Sequence, residues 1–263
     1  MVRKPTARHR EDIFTLPSPD SPEGQHYSFV TLRPWPSLVF ILPMLLAFEI
    51  GIYFAQNGAP DDKPKLVAVY LIERVVTALG AGHFGYIFPG MAVVVILVAW
   101  HLAARHPWRF DPFVLPGMLG ESLIWTIPLF VFNRVVHTAL LTGAQPRAQD
   151  WIDEAIRGVG AGLYEELVFR LFLITGLDIL LVNVCKLNRS ASLVFAVLAS
   201  SALFAAQHHP PLGAEAFEMS TFTFRTAAGI YLAGLFLYRG FGIAAGCHVF
   251  YNGIVVIVST LRG

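Results

Sequence analysis

Charged side chains are scarce in this sequence, and the scarcity excludes a great deal. Only 14% of the 263 residues are Asp, Glu, Lys or Arg, against about a quarter in an ordinary soluble domain. With 55% hydrophobic residues and a mean hydropathy of +0.59, the chain cannot clothe itself in a polar surface. The net charge is +1, without an acidic or a basic run. The broad positive field of a nucleic-acid binder is therefore missing, and nucleic acid is not an expected partner. Cysteine is nearly absent too. Cys185 and Cys247 both sit in apolar context and no CxxC spacing occurs, which excludes a disulfide framework and a thiolate metal site.

Composition does not break after residue 35, so the expectation is one integral membrane domain over 35–263, preceded by a polar tail at 1–34. The tail carries Arg3, Lys4, Arg8 and Arg10, with no apolar stretch close to Met1 of the kind a secretory signal needs. It is expected to be disordered, with the anionic membrane surface as its simplest partner.

What the sequence has in abundance is long hydrophobic runs. A span needs roughly 20 mostly apolar residues, and seven stretches qualify or nearly do: 36–55, 86–104, 116–141, 158–184, 191–208, 222–238 and 240–260. Turn formers punctuate them, among them Asn57-Gly58-Ala59-Pro60, Gly143-Ala144-Gln145-Pro146 and His209-Pro210-Pro211. Residues 66–82 carry Glu73-Arg74 in mid-stretch and read as an interfacial or half-inserted helix. The fold class is all-α: a polytopic transmembrane bundle of about seven to eight helices, since only helices and closed barrels satisfy their backbones in lipid. No internal repeat is visible, which disfavours a secondary transporter. The expected location is a bacterial inner membrane, crossed several times.

Three of these stretches contain groups that lipid does not welcome. The fourth holds Glu165, Glu166 and Arg170 after Gly158 and Gly162. A charge at the bilayer centre costs at least about 2.5–3.5 kcal/mol, so such residues usually face the bundle interior and mark a functional site. Glu166 and Arg170 are four apart and can neutralise each other, whereas Glu165, rotated by roughly 100°, is left without that partner. The fifth stretch ends Phe204-Ala-Ala-Gln-His208-His209, and the seventh holds His248 and Asn252 on one face, after Gly242 and Gly246. Singly, each has an ordinary explanation: a snorkelling ion pair, an interfacial histidine, or small-residue packing. Their joint occurrence argues for a site.

The ordered set Glu165-Glu166-xxx-Arg170, Phe204-xxx-His208 and His248-xxx-Asn252, on successive hydrophobic helices, resembles the signature motifs of the CPBP (CAAX protease and bacteriocin-processing) family. The resemblance covers about residues 115–260; spacing from Phe204 favours His208 over His209. It implies an intramembrane endopeptidase acting on membrane-associated peptide or protein substrates. Glu165 would activate a water that His208 helps to hold, and His248 and Asn252 would donate to the oxyanion. Glu166 and Arg170 would orient Glu165. A general base and fixed donors in a dry site are what such a hydrolysis needs.

A divalent metal such as zinc stays open as a cofactor at this point, with Glu165, His208 and His248 as its ligands. The HExxH, GxSxG and GxGD motifs of other intramembrane proteases are absent. Two further readings compete: a proton-coupled transporter or channel using Glu165 and the histidines as a relay, and a non-catalytic scaffold or immunity protein.

Overall fold

Backbone amides that cross a lipid core must find their partners within their own segment, and no strand occurs among the described residues. The computed structural model describes residues 21, 23–56, 66–78, 80, 88–139 and 151–261. Its helices are α1 (Tyr27–Val30), α2 (Pro34–Gln56), α3 (Val67–Ala78), α4 (Phe88–Ala104), α5 (Val114–Ile124) and α6 (Thr126–Ala139). There follow α7 (Trp151–Glu165), a π-helical segment Glu166–Ile174, α8 (Thr175–Ile179) and a second π segment Leu180–Val184. The chain ends with α9 (Arg189–Ala206), α10 (Met219–Arg239) and α11 (Phe241–Leu261).

Five helical stretches are long and apolar enough to cross a membrane: Pro34–Phe54, Val114–Val136, Trp151–Val184, Arg189–Ala206 and Phe241–Leu261. The other two expected spans fall short for different reasons. Helix α4 is 17 residues long, about 25 Å at 1.5 Å per residue. Helix α10 has the length, 21 residues, but Ser220, Thr221, Thr223, Arg225 and Thr226 make its first two turns polar. The expected span 158–184 begins seven residues earlier, at Trp151. Helix α3 covers most of the stretch read as interfacial; it is 12 residues long, too short to cross, and buries Ala68, Val69 and Ile72. Apolar side chains also cover the outside, with Leu46, Ile50 and Phe54 of α2 and Val194 and Leu198 of α9 all exposed. Such a surface suits lipid and not water.

The tail expected over 1–34 is corrected at its inner end. Residues 1–20 and 22, with the basic side chains of the tail, lie outside the described residues, as do the turns at 57–60 and 143–146. From Tyr27 on, however, the chain is folded against the bundle, and Val30, Thr31 and Arg33 are buried. The anchor is polar: the Tyr27 hydroxyl donates to Glu121 at 2.7 Å, and Arg239 donates to the same carboxylate at 2.8 Å. Composition hides this, because an anchor made of Tyr, Arg and Glu reads as tail. Gly240, at φ +92°, turns α10 into α11 without a spacer, and a Cβ there would stand 2.8 Å from the Thr31 carbonyl oxygen.

The core runs along α7, the π segment and α11. Leu163, Tyr164, Leu167, Ile243, Ala244 and Ala245 are wholly buried. Gly158 and Gly162 bring α7 against α11, where a Cβ on Gly162 would lie 2.6 Å from the Val249 backbone nitrogen. Gly242 and Gly246 serve other neighbours. Gly242 packs on Met118 and Ser37, and Gly246 on Ser122 and Phe40.

Because its neighbour is backbone and cannot rotate away, Gly162→Ala should destabilise the protein by about 1–3 kcal/mol. Gly176, with nothing within 4 Å of its missing Cβ, is the control; Gly176→Ala should leave stability unchanged or raise it by up to about 1 kcal/mol. Thermal unfolding of both variants in detergent checks this, and equal loss in the two would refute the close approach.

Candidate active site

The chemistry-bearing helix changes pitch where the carboxylates lie. Fifteen α-helical residues end at Glu165, and nine π-helical residues begin at Glu166. The wider i→i+5 turn is uncommon in proteins and collects at functional sites. Four-residue spacing reads alike in either helix, so the sequence does not announce it. Ser200 of α9 stabilises the segment from outside, its hydroxyl donating to the Phe169 carbonyl at 2.6 Å.

Glu166 and Arg170 are both wholly buried, with Arg170 Nε 3.1 Å from Glu166 Oε2. The Nε–H does not point at that oxygen well enough for a hydrogen bond, so the attraction is Coulombic. Around the guanidinium, Phe204 of α9 lies face-on with its ring centre 4.3 Å from Cζ, and Nη2 donates to the Gly229 carbonyl of α10 at 3.5 Å. The other oxygen of Glu166 reaches His248 Nδ1 on α11 at 2.8 Å. A carboxylate partnered by Arg170 accepts here, which puts the proton on His248 Nδ1 and turns Nε2 towards the site.

His208 is oriented in the same way by a different acceptor. Its Nδ1 lies 2.9 Å from the Phe204 carbonyl oxygen; a carbonyl can only accept, so Nδ1 carries the proton. Both free ring nitrogens then face one carboxylate. His208 Nε2 is 3.6 Å from Glu165 Oε1 and His248 Nε2 is 3.8 Å from Glu165 Oε2. These separations exceed a hydrogen bond. Glu165 is 5% and His248 7% exposed, so the three groups meet in a nearly closed recess.

Asn252 lies one turn beyond His248 on α11. Its side-chain amide donates to the Gly158 carbonyl at 3.0 Å, which ties α11 to α7 with one of its two N–H bonds. Thus Glu165, Glu166, Arg170, His208 and His248 form one connected set, while Asn252 reaches it through the helix it fastens. His209 takes no part: its ring contacts the Glu215 carbonyl at 3.2 Å and packs on Phe217.

Among the described residues no group of three His, Cys, Asp or Glu side chains is arranged to hold a metal ion. The set considered for zinc, Glu165 with His208 and His248, offers its histidines to different carboxylate oxygens at the distances given above.

Several polar residues of the interior were not singled out by motif. Tyr164, next to Glu165, donates to Glu49 of α2. Glu121 of α5 binds Tyr27, Trp125 and Arg239, and Arg225 of α10 binds Glu215. The signal that exposed Glu165 applies to Glu49 and Glu121 as well, since each interrupts a hydrophobic run, whereas Arg225 stands in the polar first turns of α10.

Removing Arg170 strands Glu166 in the interior, and the loss of one partner of a buried pair typically costs about 3–5 kcal/mol. Arg170→Ala should therefore lower the yield of folded protein sharply, and Arg170→Met combined with Glu166→Gln should recover most of it. Size-exclusion profiles of the detergent-extracted variants measure this. A single variant as well folded as the double one would show that the pair is dispensable.

Residues 148–254 match the protein family described as type II CAAX prenyl endopeptidase Rce1-like. No curated protein and no solved structure matches the chain. The matched segment begins just before α7 and contains Glu165, Glu166, Arg170, His208, His248 and Asn252, the very positions on which the resemblance rested. The match covers 107 of the 263 residues, and over this segment the chain is similar to that family.

Proposed function

We propose that this protein is a multi-pass intramembrane endopeptidase that hydrolyses peptide bonds of membrane-associated substrates with a water activated by Glu165. The observation that carries the proposal is the placement of the Glu165 carboxylate between the ring nitrogens of His208 and His248, in a buried recess lined by the family segment.

A water seated beside the carboxylate is within reach of both Glu165 and His208 Nε2, which lie 3.6 Å apart. Glu165 takes one proton of that water, and His208 Nε2, a lone pair in the tautomer described, accepts the other hydrogen as a hydrogen bond. The water oxygen attacks the peptide carbonyl, whose oxygen becomes an oxyanion. His248, carrying a second, solvent-derived proton at Nε2 before the attack, and the uncommitted N–H of Asn252 donate to it, and the ring returns that proton to solvent when the product leaves. Glu166 favours that protonated imidazole, because its carboxylate holds the opposite nitrogen. Glu165 then hands its proton to the leaving amine as the C–N bond breaks, and the new carboxylate and amine depart. Buried donors acting in a dry site are worth far more here than in water.

A proton relay is less well supported. Asn252, fixed on the Gly158 carbonyl, has no proton to exchange.

Glu165→Gln, His208→Ala and His248→Ala should each lower cleavage by about 10²–10⁴-fold while the protein remains folded in the membrane, the usual range for losing a general base or an oxyanion donor. The measurement is a mass-spectrometric comparison of membrane-protein termini in cells carrying the wild-type chain or Glu165→Gln. Termini that are the same in both would sink the proposal. Dialysis against a strong chelator should leave cleavage intact; loss restored by added zinc would replace the base mechanism with a metal-assisted one.

A further inference from the structure

Arg225 stands in the second turn of α10, at the end of the bundle where α9 delivers His208. Both arms of its guanidinium are taken by one carboxylate: Nη1 donates to Glu215 Oε2 at 2.7 Å and Nη2 to Glu215 Oε1 at 2.9 Å. Two parallel bonds of this kind are how a guanidinium fork recognises a carboxylate. The acid enters from outside, since the Glu215 side chain is 52% exposed and that of Arg225 only 20%. Burial alone would raise the Glu215 carboxyl, but the hydrogen bonds and charge of Arg225 outweigh it and hold it below the ordinary carboxylate range.

The loop that carries Glu215 is folded onto the reacting histidine. Glu215 N–H donates to the His208 carbonyl at 3.1 Å. A Cβ on Gly213 would lie 2.2 Å from the same oxygen, so only glycine admits this path. The fork is therefore about one residue's width from His208, whose ring faces Glu165. On its other side lies Tyr251, the residue before Asn252, with its ring 6.0 Å from that of Phe224. The positive charge of Arg225 is felt at His208 and at Tyr251. Asn133 donates to the Tyr251 hydroxyl at 3.0 Å, and the other end of its amide is buried without a hydrogen-bond partner among the described residues.

These observations describe a carboxylate site at the edge of the recess, held by a loop residue that a ligand can replace. An exposed ion pair contributes little to stability, so exchanging Glu215 for another carboxylate is nearly neutral for the fold. We propose that Arg225 docks the free C-terminal carboxylate of the peptide substrate, and that Glu215 occupies the fork until the substrate arrives. The proposal rests on the protease reading above and adds to it the feature that selects C-terminal segments. An extended peptide advances about 3.3–3.6 Å per residue, so a substrate whose carboxylate lies on Arg225 reaches towards Glu165 with its upstream residues. The unmatched amide of Asn133 offers a partner to the peptide backbone in between. An internal segment brings no carboxylate and leaves Glu215 in place.

The test uses the full-length protein in detergent and a set of quenched fluorescent peptides with Cys-aliphatic-aliphatic-Ser ends, prenylated and unprenylated. Each is made with a free acid and with an amidated C-terminus. The wild-type chain should cleave the acids with kcat/KM about tenfold or more above the amides, carried by KM, as expected for losing a two-bond charged contact. Arg225→Gln should bring that ratio to about one, and Glu215→Gln, which frees the fork, should lower KM for the acids. Equal cleavage of acids and amides by the wild type, abolished by Glu165→Gln, overturns the carboxylate dock and leaves the protease reading standing. An acid preference that survives Arg225→Gln, in a variant that still cleaves, also overturns it. No cleavage of any peptide by the wild-type chain overturns both.

Discussion

One buried cation organises this protein. Arg170 lies in an interior that cannot hydrate it, and its neutralisation by Glu166 recruits the rest: Phe204 from α9 across its face, the Gly229 carbonyl from α10, and, through the far oxygen of Glu166, His248 from α11. Four segments of the chain are thereby registered against each other around a single charge. A paired charge of this kind is weak evidence for stability, because a well-packed apolar replacement often serves the fold equally well. Its value lies in orientation. It determines which nitrogen of His248 carries a proton, and so which nitrogen is left for Glu165.

The two ends of the bundle use the same chemistry for opposite purposes. At one end Glu121 collects Tyr27, Trp125 and Arg239, with exposures of 19% for Glu121 and 8% for Arg239; several donors converge on one acid, and the N-terminal helix is pinned. At the other end the side chains of Glu215 and Arg225 hydrogen-bond only each other among the described residues, and the acid is half in solvent. A carboxylate with many partners behaves as a rivet, whereas one with a single partner on a loop behaves as a latch.

Hydrophobic runs made the bundle readable, because a spanning helix leaves a composition signal about 20 residues long. The boundaries were less so: α5 and α6 are parted only at Trp125, which no Gly or Pro marks. The N-terminal anchor was hidden because its partners, Glu121 and Arg239, lie about a hundred residues or more away, and spacing arguments reach only one or two turns. The candidate set was readable as residue types in order. Their geometry was not, since the tautomers of His208 and His248 depend on a backbone carbonyl and on a carboxylate from another helix. The neighbours of Gly242 and Gly246 were hidden for the same reason. A small residue permits a close approach but does not name the helix that makes it.

The helical run Trp151–Val184 is 34 residues long. As ideal α-helix it would measure about 50 Å, far more than the roughly 30 Å of a hydrocarbon core, so it tilts or stands proud of the membrane. Glu165 is its fifteenth residue, well removed from either end. At such depth water is a reagent that must be delivered. A hydrolase built this way consumes one water molecule per bond, drawn from a recess that shields Glu165 and His248 almost completely. In the proposed hydrolysis turnover has two supply lines, one for peptide and one for water, and anything that dries the recess, a tightly wedged lipid tail included, would act as an inhibitor without touching the peptide.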